Sequence, residues 1–336
     1  LGALAVSLRF VPRMQGRMEG AELRRIDWPG PVLACIGLFC ISFSLIRVSR
    51  DVFGLEGGVF LIAGLIAIVV FIRVETHGSS PVVPFGMFTR QVAGANIATL
   101  FIYFSFSGTL FLLSFYLQQL LGFRPANAGL AVLPTTLFIA LFSGPSGSYT
   151  DRHGPRLQMI LGPLIICGAT ALLIPAGREA VYLTRILPPV VLLGAGIVLI
   201  IPSITTSALN VPRRFSGTAS GVNNAIARIS GLLSVAVVGS VVSLVFARSA
   251  GPAVESLALP PGAGEMIAEQ LDRLLALDMP DGLDPAQRAA VTGLLRDAFV
   301  RGYRWGMGVN LASAAAGLLV GILTIPSGTR GREREE

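Results

Sequence analysis

A regularly spaced set of polar side chains interrupts the long apolar stretch at residues 92–118. Its steps of three, four and seven residues place the set on one face of a helix. Because lipid cannot satisfy such amide and hydroxyl groups, they can line a path for a polar solute. They can equally bond a neighbouring helix, and both interpretations stay open. The set consists of Asn96, Thr99, Tyr103, Ser107, Ser114 and Gln118, of which Asn96 and Tyr103 are the best candidates.

A second polar group, Asn223, Asn224 and Arg228, lies in the apolar stretch at residues 217–247. An arginine at the bilayer centre costs roughly 2.5–3.5 kcal/mol on insertion scales and rarely faces lipid. Arg228 could hold an anionic substrate, pair with a carboxylate elsewhere in the protein, or bond helix carbonyls. Alternatively, the membrane begins close to this residue and its side chain extends to the aqueous face.

A third group is the polar stretch from Gly147 to Arg156, which joins two apolar stretches in a hairpin. Gly147 and Gly154 lack a Cβ atom, so we expect two helix ends to turn tightly and approach closely here. Asp151 should lie just before the next helix, where its carboxylate can meet free N–H groups. Arg152 and Arg156 would place fixed positive charge at the membrane face.

The composition indicates that a membrane surrounds these groups. Hydrophobic residues make up 53% and charged residues 13%, whereas soluble domains carry roughly 25% charged residues. The mean hydropathy is +0.72. The net charge of +7 comes from arginines clustered between apolar stretches, which is typical of membrane loops and not of a nucleic-acid site. The sequence therefore predicts an all-α, multi-pass membrane protein.

The chain shows no pattern for a metal, a cofactor or catalysis. Cys35, Cys40 and Cys167 lie inside apolar stretches without the spacing of metal ligands, and neither His77 nor His153 has a partner cluster. No nucleophile–base set is visible, so we do not expect an enzyme.

Apolar stretches predict eight membrane spans. Asp27 is a possible N-cap of the first span, and Trp28 would lie at the membrane interface. The second span contains no strong polar group, and Pro134 should kink the fourth. The predicted spans cover about 28–46, 57–73, 92–118, 126–146, 157–176, 184–208, 217–247 and 303–326.

The arginine distribution predicts the orientation. If residues 9–27 are cytoplasmic, the segments on that side hold fourteen arginines and the short loops opposite hold five. Cytoplasmic loops carry the excess of positive charge. We therefore expect the hairpin at residues 151–157 to be cytoplasmic and the loop at residues 248–302 to be external.

That external loop has two amphipathic patterns. Residues 265–278 place Met266, Ile267, Leu271, Leu274 and Leu275 along one side of a helix. Asp284-Pro285-Ala-Gln287 resembles a capping box with proline at the first helical position, and Val291, Leu294, Leu295 and Phe299 continue an apolar face. We expect two short interfacial helices here.

The order G-x-x-x-D-R-x-G-x-R at residues 147–156 resembles the loop signature of the major facilitator superfamily. In that family the signature recurs after the second helix of each six-helix half. The resemblance implies that Gly147, Asp151, Arg152, Gly154 and Arg156 belong to a conformational switch.

Further segments resemble the fourteen-helix drug:proton antiporters of the EmrB/QacA type. Asp27-Trp28-x-Gly30 resembles the start of the helix pair inserted between the halves of that branch. Tyr116-Leu-Gln118-Gln119, Gly122, Ala128-Gly129-Leu130 and Pro134 resemble its first C-terminal hairpin. Ser216-Gly217-Thr-Ala-Ser220-Gly221-Val-Asn223-Asn224, with Gly231, resembles its penultimate helix. The Gly217-x-x-x-Gly221 pair there permits a close helix contact.

The resemblance implies a C-terminal fragment of the major facilitator fold with a defined domain order. Residues 1–8 would end a helix that begins outside this sequence, and residues 9–27 would be a cytoplasmic connector. Residues 28–74 would be the inserted helix pair, 92–326 the C-terminal six-helix transport half, and 327–336 a cytoplasmic tail. The function would require the N-terminal half as a partner.

The resulting hypothesis is a transporter in a bacterial plasma membrane (inner or cell membrane) that exports small amphipathic compounds in exchange for protons by alternating access. The apolar spans contain no Asp or Glu, so a coupling carboxylate would lie in the other half. One alternative is a permease for a metabolite or an anionic solute, which Arg228 would suit. Another is a non-transporting membrane sensor or scaffold that uses the loop at residues 248–302.

Overall fold

The computed structural model describes residues 29–48, 55–77, 85–257, 259–268, 270–280 and 282–325. Within these ranges the chain is helical, with short connecting turns. The expected N-cap Asp27, Trp28 and the segments 1–28 and 326–336 lie outside the described residues. The α-helices are α1 (Pro29–Val48), α2 (Leu55–His77), α3 (Arg90–Gln119), α4 (Pro125–His153), α5 (Arg156–Leu173), α6 (Leu187–Ala208), α7 (Ser216–Glu255), α8 (Ala263–Ala268) and α9 (Pro285–Thr324).

Seven helices in the described part of the chain are long and apolar enough to cross a membrane. They are α2 to α7 and α9, and a span needs about 20 predominantly apolar residues. The expected first span is present as α1, a helix of 20 mostly apolar residues. The prediction of an all-α, multi-pass membrane protein is confirmed.

Helices α3 to α7 and α9 form one six-helix bundle, and α1 and α2 form a separate pair. Within the bundle, α3 packs against α6, α7 and α9, α6 packs against α4 and α5, and α9 also contacts α5 and α7. In the pair, α1 and α2 pack mainly on each other, and α1 also touches α7. A six-helix bundle and an additional helix pair are thus both present, and their roles as a transport half and an inserted pair stay a prediction.

The second span is longer and more polar than expected. It runs from Leu55 to His77 and not from 57 to 73, so it includes Glu75, which is only 2% exposed. The Glu75 carboxylate lies beside Gly30, where a Cβ atom would be 2.6 Å from Oε1. Gly30 is in the first turn of α1, and the dipole of a helix favours negative charge at that end.

The helices extend past the predicted span boundaries at 247 and 303, because α7 continues to Glu255 and α9 already begins at Pro285. Each helix has 40 residues, which corresponds to about 60 Å, twice the hydrocarbon thickness of roughly 30 Å. The apolar face that includes Val291 is the buried stripe of the first turns of α9, not a separate interfacial helix.

The predicted capping box at the start of α9 is confirmed. The Gln287 N–H donates to Asp284 Oδ1 at 2.6 Å, and the Asp284 N–H donates to Gln287 Oε1 at 3.1 Å. The other predicted helix, at residues 265–278, is divided into α8 and a 3-10 turn at Leu271–Ala276. Leu274, at φ 57°, interrupts the helical geometry of this turn.

Side-chain contacts define two ends of the bundle. At the end that includes the hairpin, Arg90 Nη2 of α3 donates to Leu323 O of α9 at 3.0 Å. We call this the hairpin end. At the opposite end, which we call the loop end, Arg178 forms an ion pair with Asp297.

Candidate functional site

Asn223 of α7 joins α7 to α3 through two hydrogen bonds. Its Nδ2 donates to Thr99 Oγ1 at 2.8 Å and to Asn96 Oδ1 at 3.2 Å. Asn96 Nδ2 in turn donates to Val92 O at 2.9 Å. Thr99 Oγ1 donates to Ala95 O at 2.8 Å, and both α3 side chains are buried. For these three residues the structure shows helix–helix hydrogen bonding, one of the two alternatives that the sequence left open.

A second contact between α3 and α7 defines the depth of Arg228. A Cβ atom on Gly231 would lie 3.3 Å from Ser107 Oγ, so the two helices cross closely there. Arg228 lies between this crossing and Asn223, at the level of Tyr103, and the Tyr103 and Arg228 side chains are close enough to interact electrostatically. Tyr103 is the fourteenth of the 30 residues of α3, so Arg228 lies near the middle of that helix.

Arg228 is exposed at this depth. In the part of the chain that the structure describes, its guanidinium has neither a hydrogen bond nor an ion pair. Asn224, one turn earlier, is also exposed, and its Nδ2 donates to Ser220 O of the same helix at 3.0 Å. An arginine near the bilayer centre normally faces the protein interior or water. The exposed face of α7 presents polar groups level with the middle of α3, a level that we call mid-depth.

The glycine pair on α7 forms no helix contact within the described chain. A Cβ atom on Gly217 or Gly221 would meet no other described atom within 4 Å. The close contact expected from the Gly217-x-x-x-Gly221 spacing is therefore not made there. Both glycines are exposed on the same side of α7 as Asn224 and Arg228.

Gln118 lies away from the polar residues around Arg228. Its Nε2 donates to Ser114 O of the same helix at 3.2 Å. Gln118 lies fifteen residues beyond Tyr103 in α3, which is a distance of about 22 Å along the helix axis. The structure thus brings Tyr103 to the level of Arg228 and Ser107 to the level of Gly231, and it leaves Gln118 at the loop end.

The hairpin needs only one of its two glycines for the turn. Gly154 ends α4 with φ 82°, which favours glycine, and its N–H donates to Thr150 O at 2.8 Å. Gly147 instead lies inside α4, and a Cβ atom there would meet nothing within 4 Å. The expected close approach at Gly147 is therefore wrong for the described chain.

Asp151 does not cap α5. It is exposed in the last turn of α4, and Pro155 occupies the N-cap of α5 without a side-chain hydrogen bond. The expectation is wrong because α4 continues through His153, beyond the predicted end of the span at 146. Arg152 is exposed, and Arg156 is half-buried in the first turn of α5.

Sequence reasoning missed a buried polar cluster beside the hairpin. Gln158 Nε2 donates to Ser146 O at 3.0 Å and to Ser146 Oγ at 2.9 Å, and Thr150 Oγ1 donates to Gln158 Oε1. Ser146 Oγ donates to Val198 O at 2.8 Å. The cluster links α4, α5 and α6. The sequence did contain a signal for this cluster. Ser146 and Thr150 are four residues apart in α4, and Gln158 is a polar residue in the apolar helix that follows.

The described residues contain no group of three or more His, Cys, Asp or Glu side chains that could hold a metal ion. The described cysteines, Cys35, Cys40 and Cys167, are free thiols. The exposed groups of α7 at mid-depth are the Asn224 amide and the Arg228 guanidinium. Such groups suit a solute that carries hydrogen-bond acceptors or negative charge.

Several known proteins that are named for resistance or export are similar to this chain. The puromycin resistance protein pur8 of Streptomyces alboniger is 29% identical over 69% of this chain and 47% of its own length. The tetracenomycin C resistance and export protein of Streptomyces glaucescens is 28% identical over 71% of this chain and 45% of its own length. The multidrug resistance protein Stp of Mycobacterium tuberculosis is 26% identical over 80% of this chain and 50% of its own length.

The chain spans about half the length of these curated relatives. A family model described as Major Facilitator Superfamily matches residues 9–235, which is more than half of the sequence. The seven candidate spans agree with a multi-pass protein of the plasma membrane. The chain therefore belongs to the major facilitator superfamily of membrane transporters.

Proposed function

We propose that this chain forms the C-terminal half of a proton-coupled exporter for small amphipathic compounds, of the fourteen-helix drug:proton antiporter branch. The names of the similar proteins, which refer to puromycin, tetracenomycin C and multidrug resistance, support export. In this proposal residues 92–326 are the transport half and residues 28–74 the inserted helix pair. Residues 9–27 and 327–336 lie on the cytoplasmic side.

The observation that carries the proposal is the exposed Arg228 at mid-depth. Secondary transporters bind substrates and coupling ions near the bilayer midplane, between two structural repeats. Arg228 lies level with Tyr103 on the exposed face of α7, whereas Asn223 is used in bonds to α3. An unpaired guanidinium at this depth is costly unless a counter-charge or a solute meets it. The proposed partner is a carboxylate of the N-terminal half, which would also carry the coupling proton.

The hairpin is the proposed switch between access states, with Gly147, Asp151, Arg152, Gly154 and Arg156 as its parts. Asp151 and Arg152 are both exposed at the hairpin end. Asp151 lies on the side of α4 opposite Tyr149, where the other half would meet it. Among the described residues Asp151 has no ion pair, so its carboxylate is available to a partner in another state. Charge-assisted contacts that form in one state and break in the other would couple the hairpin to alternating access.

Arg228 also supports a second candidate, a permease for a metabolite or an anionic solute. A guanidinium is a preferred ligand of carboxylate and phosphate groups, because its N–H donors can form two parallel hydrogen bonds. In that case Arg228 would contact the substrate itself. The two candidates differ in whether Arg228 contributes to substrate binding or to proton coupling.

The test is uptake of a fluorescent cationic compound into everted membrane vesicles that contain the full-length protein. Under the proposal, respiration drives uptake, and a protonophore that collapses the proton gradient stops it. Arg228→Gln should lower the transport rate by about tenfold or more, equivalent to about 1.4 kcal/mol or more, with little change in the substrate Kd. Asp151→Asn should lower the rate in the same way.

The control is Arg304→Gln, which removes an exposed arginine from α9 and should leave uptake unchanged. Wild-type vesicles without protonophore-sensitive uptake would contradict the export proposal. If Arg228→Gln abolishes binding of an anionic solute and leaves uptake of the cationic compound unchanged, the permease is the correct assignment.

A further inference from the structure

The outer surface of the bundle has an apolar groove between α4, α5 and α6, with a volume of about 450 Å³. It extends along α4 from Phe138 to Tyr149, which is about 16 Å of helix. Its walls are mainly aromatic and aliphatic side chains, several of which are exposed away from the bundle. The main lining residues are Phe138, Phe142, Tyr149, Leu157, Leu161 and Leu199.

The polar groups in the groove do not need a polar ligand. Gln158 lines it but is only 2% exposed, and its amide is bonded to Ser146 and Thr150. Ser146 Oγ is bonded to Val198 O at 2.8 Å. The surface that remains accessible is therefore apolar. It favours an apolar occupant, because a polar group placed there would lose its hydrogen bonds to water.

One arginine of the hairpin lies on the same face of α4 as the groove. In a helical projection of α4, Arg152 and His153 lie within about 60° of Tyr149, whereas Asp151 lies about 160° away. The His153 ring stacks on the Tyr149 ring with 4.4 Å between the centroids. Arg156 is rotated by about 100° or more around α5 from the leucines that line the groove. Arg152 is therefore the arginine of the hairpin that shares a face with the groove.

We propose that this groove binds an acyl chain of an anionic phospholipid whose phosphate contacts Arg152. The groove length of about 16 Å is close to half of the hydrocarbon core of roughly 30 Å. A chain lying in the groove would thus place its headgroup at the level of the hairpin. Arginines next to the membrane surface attract anionic headgroups. Because the arginine distribution predicts that the hairpin is cytoplasmic, this lipid belongs to the cytoplasmic leaflet.

The test uses the full-length protein purified in detergent and measures lipid binding by native mass spectrometry. The wild type should bind phosphatidylglycerol about fivefold more tightly than phosphatidylcholine, the effect of one arginine near an anionic headgroup. Arg152→Gln should remove this preference and leave phosphatidylcholine binding unchanged. Ala195→Phe, which fills the groove from α6, should weaken the binding of both lipids.

Arg156→Gln is the matched control, because it removes an arginine of the same hairpin that lies on a side of α5 away from the groove. This variant should keep the preference. Glycerol phosphate has the headgroup charge without an acyl chain, and it should not compete. A preference that survives Arg152→Gln would overturn the proposal, and so would an Ala195→Phe variant that binds both lipids as tightly as the wild type does. So would an Ala195→Phe variant that loses affinity for a transported cationic compound and keeps its lipids, since the groove would then belong to the substrate path.

Discussion

At the scale of single residues, two adjacent asparagines of α7 have different roles. Asn223 Nδ2 donates to Asn96 and Thr99 of α3, so it holds two helices together. Asn224 is exposed and bonds only to Ser220 of its own helix within the described chain. The two amides differ in direction, because successive residues of a helix are rotated by about 100°.

Asn223→Ala should destabilise the protein more than Asn224→Ala. Interhelical hydrogen bonds in membranes contribute about 0.6 kcal/mol on average and about 1.7 kcal/mol at most, so we expect a cost of about 1 kcal/mol for Asn223→Ala and close to zero for Asn224→Ala. Denaturant titration of the purified protein in a mild detergent measures both free energies of unfolding. Equal losses would mean that Asn223 does not stabilise the contact between α3 and α7.

At the scale of helices, α5 and α6 meet at two glycines that face each other. A Cβ atom on Gly162 would lie 2.9 Å from Gly196 O, and one on Gly196 would lie 2.9 Å from Gly162 O. The backbones approach this closely because neither glycine has a side chain at the crossing. Since α6 also packs on α4, the crossing helps to position the groove and the hairpin.

Gly162→Ala should therefore lower the thermal stability, and Gly168→Ala in the same helix should not. The new methyl group at position 162 would collide with a backbone carbonyl, and overpacking typically costs about 1–3 kcal/mol. A Cβ atom on Gly168 would meet nothing within 4 Å. Circular dichroism during heating in detergent compares the two variants. If Gly168→Ala loses as much stability as Gly162→Ala, the close crossing is not the cause.

At the scale of the whole molecule, contacts at the loop end join segments that are distant in sequence. Arg178, between α5 and α6, pairs with Asp297 and donates to Gly293 O of α9. Tyr116 OH of α3 donates to Gly177 O at 2.6 Å at the same end. The long helix α7 runs between the two ends. Its termini should therefore lie on opposite sides of the bilayer.

This topology can be tested with single cysteines at the two ends of α7. Ser216 and Ser256 are both exposed. In a protein without its native cysteines, Ser256→Cys should react with an impermeant maleimide added to intact cells. Ser216→Cys should react only after the cells are opened. Labelling of both positions from the same side would rule out the proposed orientation.

The sequence by itself determined the helical class, the membrane environment and the start of α9. These are local properties of the chain. A helix is held by hydrogen bonds between residues four apart, and a span needs about 20 apolar residues in a row. The capping box at Asp284 likewise uses atoms only three residues apart. The hairpin signature is local too, and it indicated the family that the comparison confirmed.

Only the tertiary structure decided which polar and glycine residues meet across helices. The local sequence does not distinguish Asn223 from Asn224. It also does not distinguish Gly162, which lies at a helix crossing, from Gly147, which lies inside α4 without such a contact. The position of Arg228 level with the middle of α3 also follows from contacts between α3 and α7 and not from its distance to the start of a span. The physical reason is that the partners of each side chain belong to helices far away in sequence, and the packing of these helices selects which face is buried.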